Sequence, residues 1–219
     1  MEPDYEYRIS LPPGCSREHP APILFSLHGR GGNELEMHQM LQGLRQRFIV
    51  VSVRGDLPQG FGYAYFHVKN PKKPVRHLFD AAVKKLSTFL PEVVTSQPAD
   101  PERVYLLGFS QGAILSMTLL LGTALPLKGI VSLNGFLPSY VRALAPVRPL
   151  DGISVFLAHG LYDPVFPIEV GNANAEHFAS LGKETTYRTY PEGHTVSFET
   201  LRDLTAWLLA DAFGGEGTP

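Results

Sequence analysis

The sequence predicts an α/β protein: a mostly parallel central sheet with helices on both faces. Three observations carry that expectation. Short runs rich in β-branched and aromatic residues recur along the chain, bounded by Gly, Pro and Asn. Amphipathic segments of helical period lie between them. The two kinds alternate in order, which makes successive strands parallel and lays their crossover helices over the sheet. With 219 residues, 44% of them hydrophobic and 18% charged, the chain suits one domain, residues 1–219, with a large core.

The elements follow in chain order. Tyr5–Leu11 alternates and predicts an edge strand. PILFSLHG (22–29) predicts a buried strand. Asn33 with Glu36 makes an N-capping pair, and Met37, Met40, Leu41 and Leu44 follow on one face of a helix. FIVVSV (48–53) is the next buried strand. Residues 54–74 (RGDLPQGFGYAYFHVKNPKKP) are too rich in Gly and Pro for a helix or strand and predict a long functional loop or a flexible excursion. Residues 75–93 set Val75, Leu78, Phe79, Ala82, Val83, Leu86, Phe89 and Leu90 on one helical stripe.

VYLLGF (104–109) is a third buried strand, and the helix at 111–121 is apolar almost all round, so it is buried on most sides. GIVSLNGF (129–136) and ISVFLAHG (153–160) are strands of the same type. Val170, Ala173, His177, Phe178 and Leu181 form another amphipathic face. TTYRTY (185–190) is a more polar strand near a sheet edge, and Phe198, Leu201, Leu204 and Leu208 mark the last helix. Residues 213–219 read as a disordered tail. The chain has no internal repeat, low-complexity tract or interdomain linker.

A net charge of -2 argues against nucleic acid or an anionic membrane surface as a partner. Cys15 is the one cysteine, so no intrachain disulfide forms; in its loop-like setting, PPGCSREHP, it reads as an incidental thiol. MEPDYEYRIS lacks the basic and apolar regions of a signal peptide. No stretch approaches the ~18 apolar residues of a membrane span. A cytoplasmic, reducing location is expected, without membrane insertion.

VYLLGFSQG (104–112) runs a buried strand into a serine flanked by Gly108 and Gly112. In a strand-to-helix turn this tight the serine takes a strained conformation. Its neighbours two before and two after must be small to clear the adjoining strand and helix. The turn lifts the Ser110 hydroxyl above the sheet edge and aims the N-terminus of the next helix at the same point. A serine used as a nucleophile needs a base, and the base needs an orienting acid. Later loops supply Asp163 in LYDPVFP and His194 in PEGHTVS, in that order. Singly, Asp163 before Pro164 also fits a turn former, and His194 after Gly193 fits a helix cap. Taken together on loops at one sheet edge, the three read as a catalytic set. The N–H of Gln111 is one candidate oxyanion donor. LHGRGGNE (27–34) offers the Arg30 N–H as the other, with Gly29 and Gly31 as alternatives.

LHGRGG (27–32), GFSQGA (108–113), HGLYDPVFP (159–167) and EGHTVS (192–197) resemble the phospholipase/carboxylesterase branch of the α/β-hydrolases, which includes bacterial carboxylesterases and acyl-protein thioesterases. The resemblance implies a single-domain α/β-hydrolase fold, a small-molecule ester substrate, a Ser110–His194–Asp163 triad and no cofactor. The chain departs from the family pattern in three places. Gly32-Asn33 stands where an acid often follows the first glycines, Leu161 stands where an acid often precedes Asp163, and Ala113 replaces a glycine after the serine motif. None touches the three polar residues, but they weaken transfer of substrate identity from the thioesterases. The aromatic segment GFGYAYFHV (60–68) falls where that family places a loop near its acyl pocket. Phe61, Tyr63, Tyr65 and Phe66, with Phe136, Val165 and Phe166, are therefore pocket candidates; ordinary core packing is the alternative for each.

His28, His38, His67, His77, His159 and His177 show no metal-ligand spacing. His28 and His159 are expected to brace the site loops. The functions compatible with this set are ester hydrolysis on short to medium acyl chains, thioester or lysophospholipid hydrolysis, C–C hydrolysis or perhydrolysis, and a binding protein without catalysis. A dienelactone-hydrolase-like enzyme would place cysteine at position 110.

Overall fold

The computed structural model describes residues 5–70 and 73–214. In chain order it contains β1 (Tyr7–Ser10), β2 (Ala21–Leu27), α1 (Glu34–Met40), β3 (Ile49–Val53), β4 (Leu57–Gln59), β5 (Gly62–Ala64), β6 (Val68–Asn70), β7 (Lys73–Pro74) and α2 (Arg76–Ser96). It continues with β8 (Ala99–Phe109), α3 (Gln111–Gly122), β9 (Gly129–Leu133), α4 (Ser139–Arg142), β10 (Ser154–Gly160), α5 (Ile168–Ser180), β11 (Thr186–Tyr190) and α6 (Phe198–Phe213).

Seven strands form the main sheet in the order β1-β3-β2-β8-β9-β10-β11. Only β1 runs antiparallel to its neighbour. Side chains alternate between the two faces, as the pleat requires. Ile23, Phe25 and Leu27 of β2 join Leu106, Val155 and Leu157 in a core with Phe79 and Leu86 of α2 and Phe178 of α5. Leu24, Tyr105, Leu107 and Phe156 point the other way, onto Met37 of α1 and Leu204 and Leu208 of α6. α3 is buried from Gln111 to Leu121, the position its all-round apolar sequence dictates. β11 is an edge strand with two exposed residues, matching its polar sequence.

Because β2, β8, β9, β10 and β11 are parallel, their C-terminal ends open on one rim of the sheet. The loops that follow carry His28–Gly32, Ser110, Asn134, Asp163 and His194. A ligand site on this rim is the general rule for such sheets.

The structure corrects several local expectations. Residues 54–74 are not devoid of regular structure: β4 and β5 form an antiparallel hairpin turning at Gly60 (φ 62°), and β6 pairs with β7. The hairpin is joined to the β2–α1 loop by Tyr63 N–H to Gly32 O (2.9 Å) and Gly31 N–H to Tyr63 O (2.7 Å). Strands this short carry little side-chain periodicity, so backbone pairing alone defines them. α2 runs to Ser96 with Pro91 inside its last turns. β8 starts at Ala99, five residues before its apolar run. α4 was not foreseen. Of the expected tail, Phe213 ends α6 and Gly214 caps it with φ 64°; residues 215–219 lie outside the described residues.

Candidate active site

Ser110 sits between β8 and α3 with φ 53° and ψ -110°, a backbone conformation side chains rarely adopt. The flanking glycines are sterically required. A Cβ on Gly108 would overlap the Gly112 carbonyl, and one on Gly112 would overlap the Leu27 carbonyl. The Ser110 N–H donates to Leu133 O (2.9 Å), which fixes the turn to the end of β9.

Ser110, His194 and Asp163 lie in one hydrogen-bonded row. Ser110 Oγ is 2.8 Å from His194 Nε2, and His194 Nδ1 is 2.7 Å from Asp163 Oδ2. Asp163 is buried, and its Oδ1 accepts from the N–H groups of Val165 (2.8 Å) and Phe166 (2.9 Å). The carboxylate thus also forms the turn suggested by its place before Pro164. The two readings of Asp163 are compatible because each uses a different oxygen. The imidazole of His194 packs beside the Phe109 ring (5.1 Å between centroids) and the Phe166 ring (5.5 Å). Glu192 ties the His194 loop to α6, accepting from Ser197 N–H (2.8 Å) and the Thr200 hydroxyl (2.9 Å).

The N–H groups of Arg30 and Gln111 make no hydrogen bond among the described residues. Gly31 N–H, one of the alternatives, is already donated to Tyr63 O. The Gly29 N–H likewise makes no hydrogen bond among the described residues. Arg30 and Gln111 line the same cavity as Ser110, and Gln111 opens α3, at whose N-terminus the helix dipole favours negative charge.

A cavity of about 190 Å³ opens beside Ser110. Of the expected pocket residues, Phe66, Val165 and Phe166 line it. Ile114, Val68, Lys69 and Asn70 also line it and were not anticipated. The other four expected residues do not. Phe61 is fully exposed at the hairpin tip, because the β4–β5 turn points it away from the core. Tyr63 stacks under the Arg54 guanidinium, 4.4 Å away. Tyr65 is core: its hydroxyl donates to Val53 O (2.7 Å) and its ring tilts against His28. Phe136 packs behind Phe166, 5.2 Å between centroids. Larger clefts of about 540 and 560 Å³ lie near Pro146–Gly152 and around Ala175–Thr185, away from Ser110.

Two supporting side chains escaped the sequence reading. The buried Gln111 side chain accepts from Tyr65 N–H through Oε1 and donates to Phe66 O through Nε2, both at 2.7 Å. It clamps the segment carrying the cavity wall onto the serine turn. Asn134, at φ 50°, accepts from Gly160 N–H (2.8 Å) and donates to Thr195 O (2.7 Å). It joins the end of β10 to the His194 loop. Asn before Gly in LNG was the available sequence signal for such a positive φ.

The two bracing histidines behave as expected. His28 donates from Nδ1 to Gly29 O (2.7 Å) and accepts from Gly55 N–H at Nε2 (2.9 Å), so the ring is neutral. Burial pushes its pKa down to about 4, outweighing the bond to Gly29. His159 Nε2 donates to Phe166 O (2.7 Å), supporting the Asp163 turn.

A family model described as Phospholipase/Carboxylesterase matches residues 15–210. An acyl-protein thioesterase 1 of Gibberella zeae is 36% identical over 112 residues, covering 49% of this chain and 48% of that protein. An acyl-protein thioesterase 1 of Mycosarcoma maydis is 27% identical, covering 86% and 90%. The chain spans about half the length of several curated relatives it matches. Among solved structures, a Bacillus cereus carboxylesterase superposes with TM-score 0.83 at 23% identity over 94% of each chain. A carboxylesterase from Mesorhizobium loti gives 0.81 at 22% identity, over 95% and 96%. No described helix is long and apolar enough to cross a membrane.

Proposed function

The chain belongs to the phospholipase/carboxylesterase family of α/β-hydrolases, and on that premise we propose that it cleaves carboxylic esters of short to medium acyl chain through Ser110, His194 and Asp163. The observation that carries this reading is the unbroken row from Ser110 Oγ through the imidazole to Asp163 Oδ2, at 2.8 and 2.7 Å.

Ser110 Oγ attacks the ester carbonyl while His194 Nε2 takes its proton. Asp163 accepts the Nδ1–H, holds the tautomer and stabilises the imidazolium that forms. The carbonyl oxygen becomes an oxyanion and receives the Arg30 and Gln111 N–H groups. Collapse expels the alcohol, which takes the proton from His194, and leaves an acyl-serine. Water then attacks that acyl group as His194 removes its proton. The second tetrahedral species releases the acid and restores Ser110.

The cavity supports the chain-length part of the proposal. If a methylene fills about as much space as a water molecule, ~30 Å³, the volume beside Ser110 holds roughly six. Cytoplasmic residence belongs to the same proposal. A thioester would meet the same donors and the same base. Hydrolysis at matched ester and thioester bonds, with labelling of Ser110 by a fluorophosphonate, tests the reading. Labelling and turnover that survive in Ser110→Ala would end it, and thioester turnover far above ester turnover would move the assignment to a thioesterase.

A further inference from the structure

Between Asp56 and Asp80 the chain carries Lys69, Lys72, Lys73 and Arg76 and no acidic residue, although its net charge is -2. The acids that bound this segment are engaged: Asp56 pairs with Lys85 (2.8 Å) and Asp80 with Arg76 (2.7 Å). The segment's approach to the nucleophile is through Val68, Lys69 and Asn70, which line the cavity together with Arg30. The side chains of Lys69 and Arg30 are exposed and have no ion-pair or hydrogen-bond partner among the described residues. Among the described residues no Asp or Glu lines that cavity, whose apolar walls are Phe66, Ile114, Val165 and Phe166. A mouth with two uncompensated cations attracts anions and repels cations, and its apolar, low-dielectric walls focus that field.

We propose that the ester taken by this site carries an anionic group, a carboxylate or phosphate, a few bonds from the scissile carbonyl, and that Lys69 and Arg30 hold it at the cavity mouth. The inference rests on the reading of Ser110 as nucleophile. A neutral acyl ester then gains only the apolar contact. A substrate of the same length ending in a carboxylate gains the contact and the charge pairing. Because both cations are solvated, the preference is modest, roughly five- to tenfold in kcat/KM, and it weakens with salt.

Two pairs of substrates test this and locate the anion. In the first, mono-p-nitrophenyl adipate is compared with p-nitrophenyl hexanoate, so the charge sits on the acyl side. In the second, the butyrate ester of 4-hydroxybutanoate is compared with butyl butyrate, so the charge sits on the alcohol side. Preference for the anionic member in either pair, falling as KCl rises from about 0.02 to about 0.5 M, is the expected result. Lys69→Glu should cut the anionic-to-neutral ratio at least about fivefold, and Arg30→Gln, which keeps its backbone N–H, should cut it in the same direction. Ratios at or below one in both pairs, or a ratio indifferent to Lys69→Glu, overturn the proposal. Hydrolysis of the neutral esters, with fluorophosphonate labelling of Ser110, shows separately whether the nucleophile reading stands. If neither occurs, both fail together; if both occur without anion preference, only this inference falls.

Discussion

Ser110 is held in a strained conformation, of order 1–3 kcal/mol, by glycines whose Cβ atoms would overlap backbone carbonyls. Replacing it with alanine keeps the turn and removes the hydroxyl proposed as nucleophile. Ser110→Ala is expected to fold normally by circular dichroism and to lose ~10⁴–10⁶ in turnover. A folded variant retaining a tenth of the activity would remove Ser110 from the mechanism. Asp163→Asn should lose slightly less, because the Ser110 hydroxyl and the His194 imidazole both remain. These three residues were legible in the sequence because order and spacing restrict them jointly, although each alone had an ordinary explanation. Gln111 was only half legible. Its N–H follows from its place after the serine, but its amide meets Tyr65 and Phe66 through tertiary contact that no local pattern encodes. Gln111→Ala leaves a buried N–H and a buried C=O unpaired, so about 2–4 kcal/mol of stability should be lost in urea unfolding. KM should rise more than kcat falls, since the cavity wall loosens while the Ser110–His194–Asp163 row remains.

At the scale of elements, the long central strands and amphipathic helices were readable because each repeats its apolar period over several residues. The segment at 54–74 was not, because its strands are two or three residues long and pair through backbone atoms. That misreading spread to the pocket. An aromatic run looks like a wall, yet the hairpin sends Phe61 outward and Tyr65 into the core, leaving Phe66 to face the cavity. Phe66 stands edge-on to Phe79 of α2, 4.9 Å between centroids. Phe66→Ala should therefore deepen the cavity toward α2 and move the p-nitrophenyl ester optimum to longer acids. Each added methylene that is buried is worth ~0.8 kcal/mol, or roughly fourfold in kcat/KM at best. An optimum unchanged in the variant would show that Phe66 does not set the chain length.

For the whole molecule, the parallel sheet gathers five loop regions on one rim, and His28 is the group that ties this arrangement to pH. It bonds the β2 loop to Gly55, at the root of the hairpin, only in its neutral form. Its pKa is about 4 when folded and 6.5 in the unfolded reference. Between those values the unfolded chain binds a proton that the folded chain refuses, so stability falls as pH drops from 6.5 to 4 and levels off below. The full window amounts to about 3 kcal/mol. Burial lowers His38 in the same direction, which adds to the slope. The sequence foresaw a bracing role for His28 but not its protonation, since burial is a property of the packed sheet edge. His28→Gln should lose stability at neutral pH and also flatten the dependence. Urea unfolding at pH 7.5 and 4.5 should give a smaller difference in the variant than in the wild type by about 2–3 kcal/mol. Parallel curves for the two proteins would mean that His28 is not the titrating group.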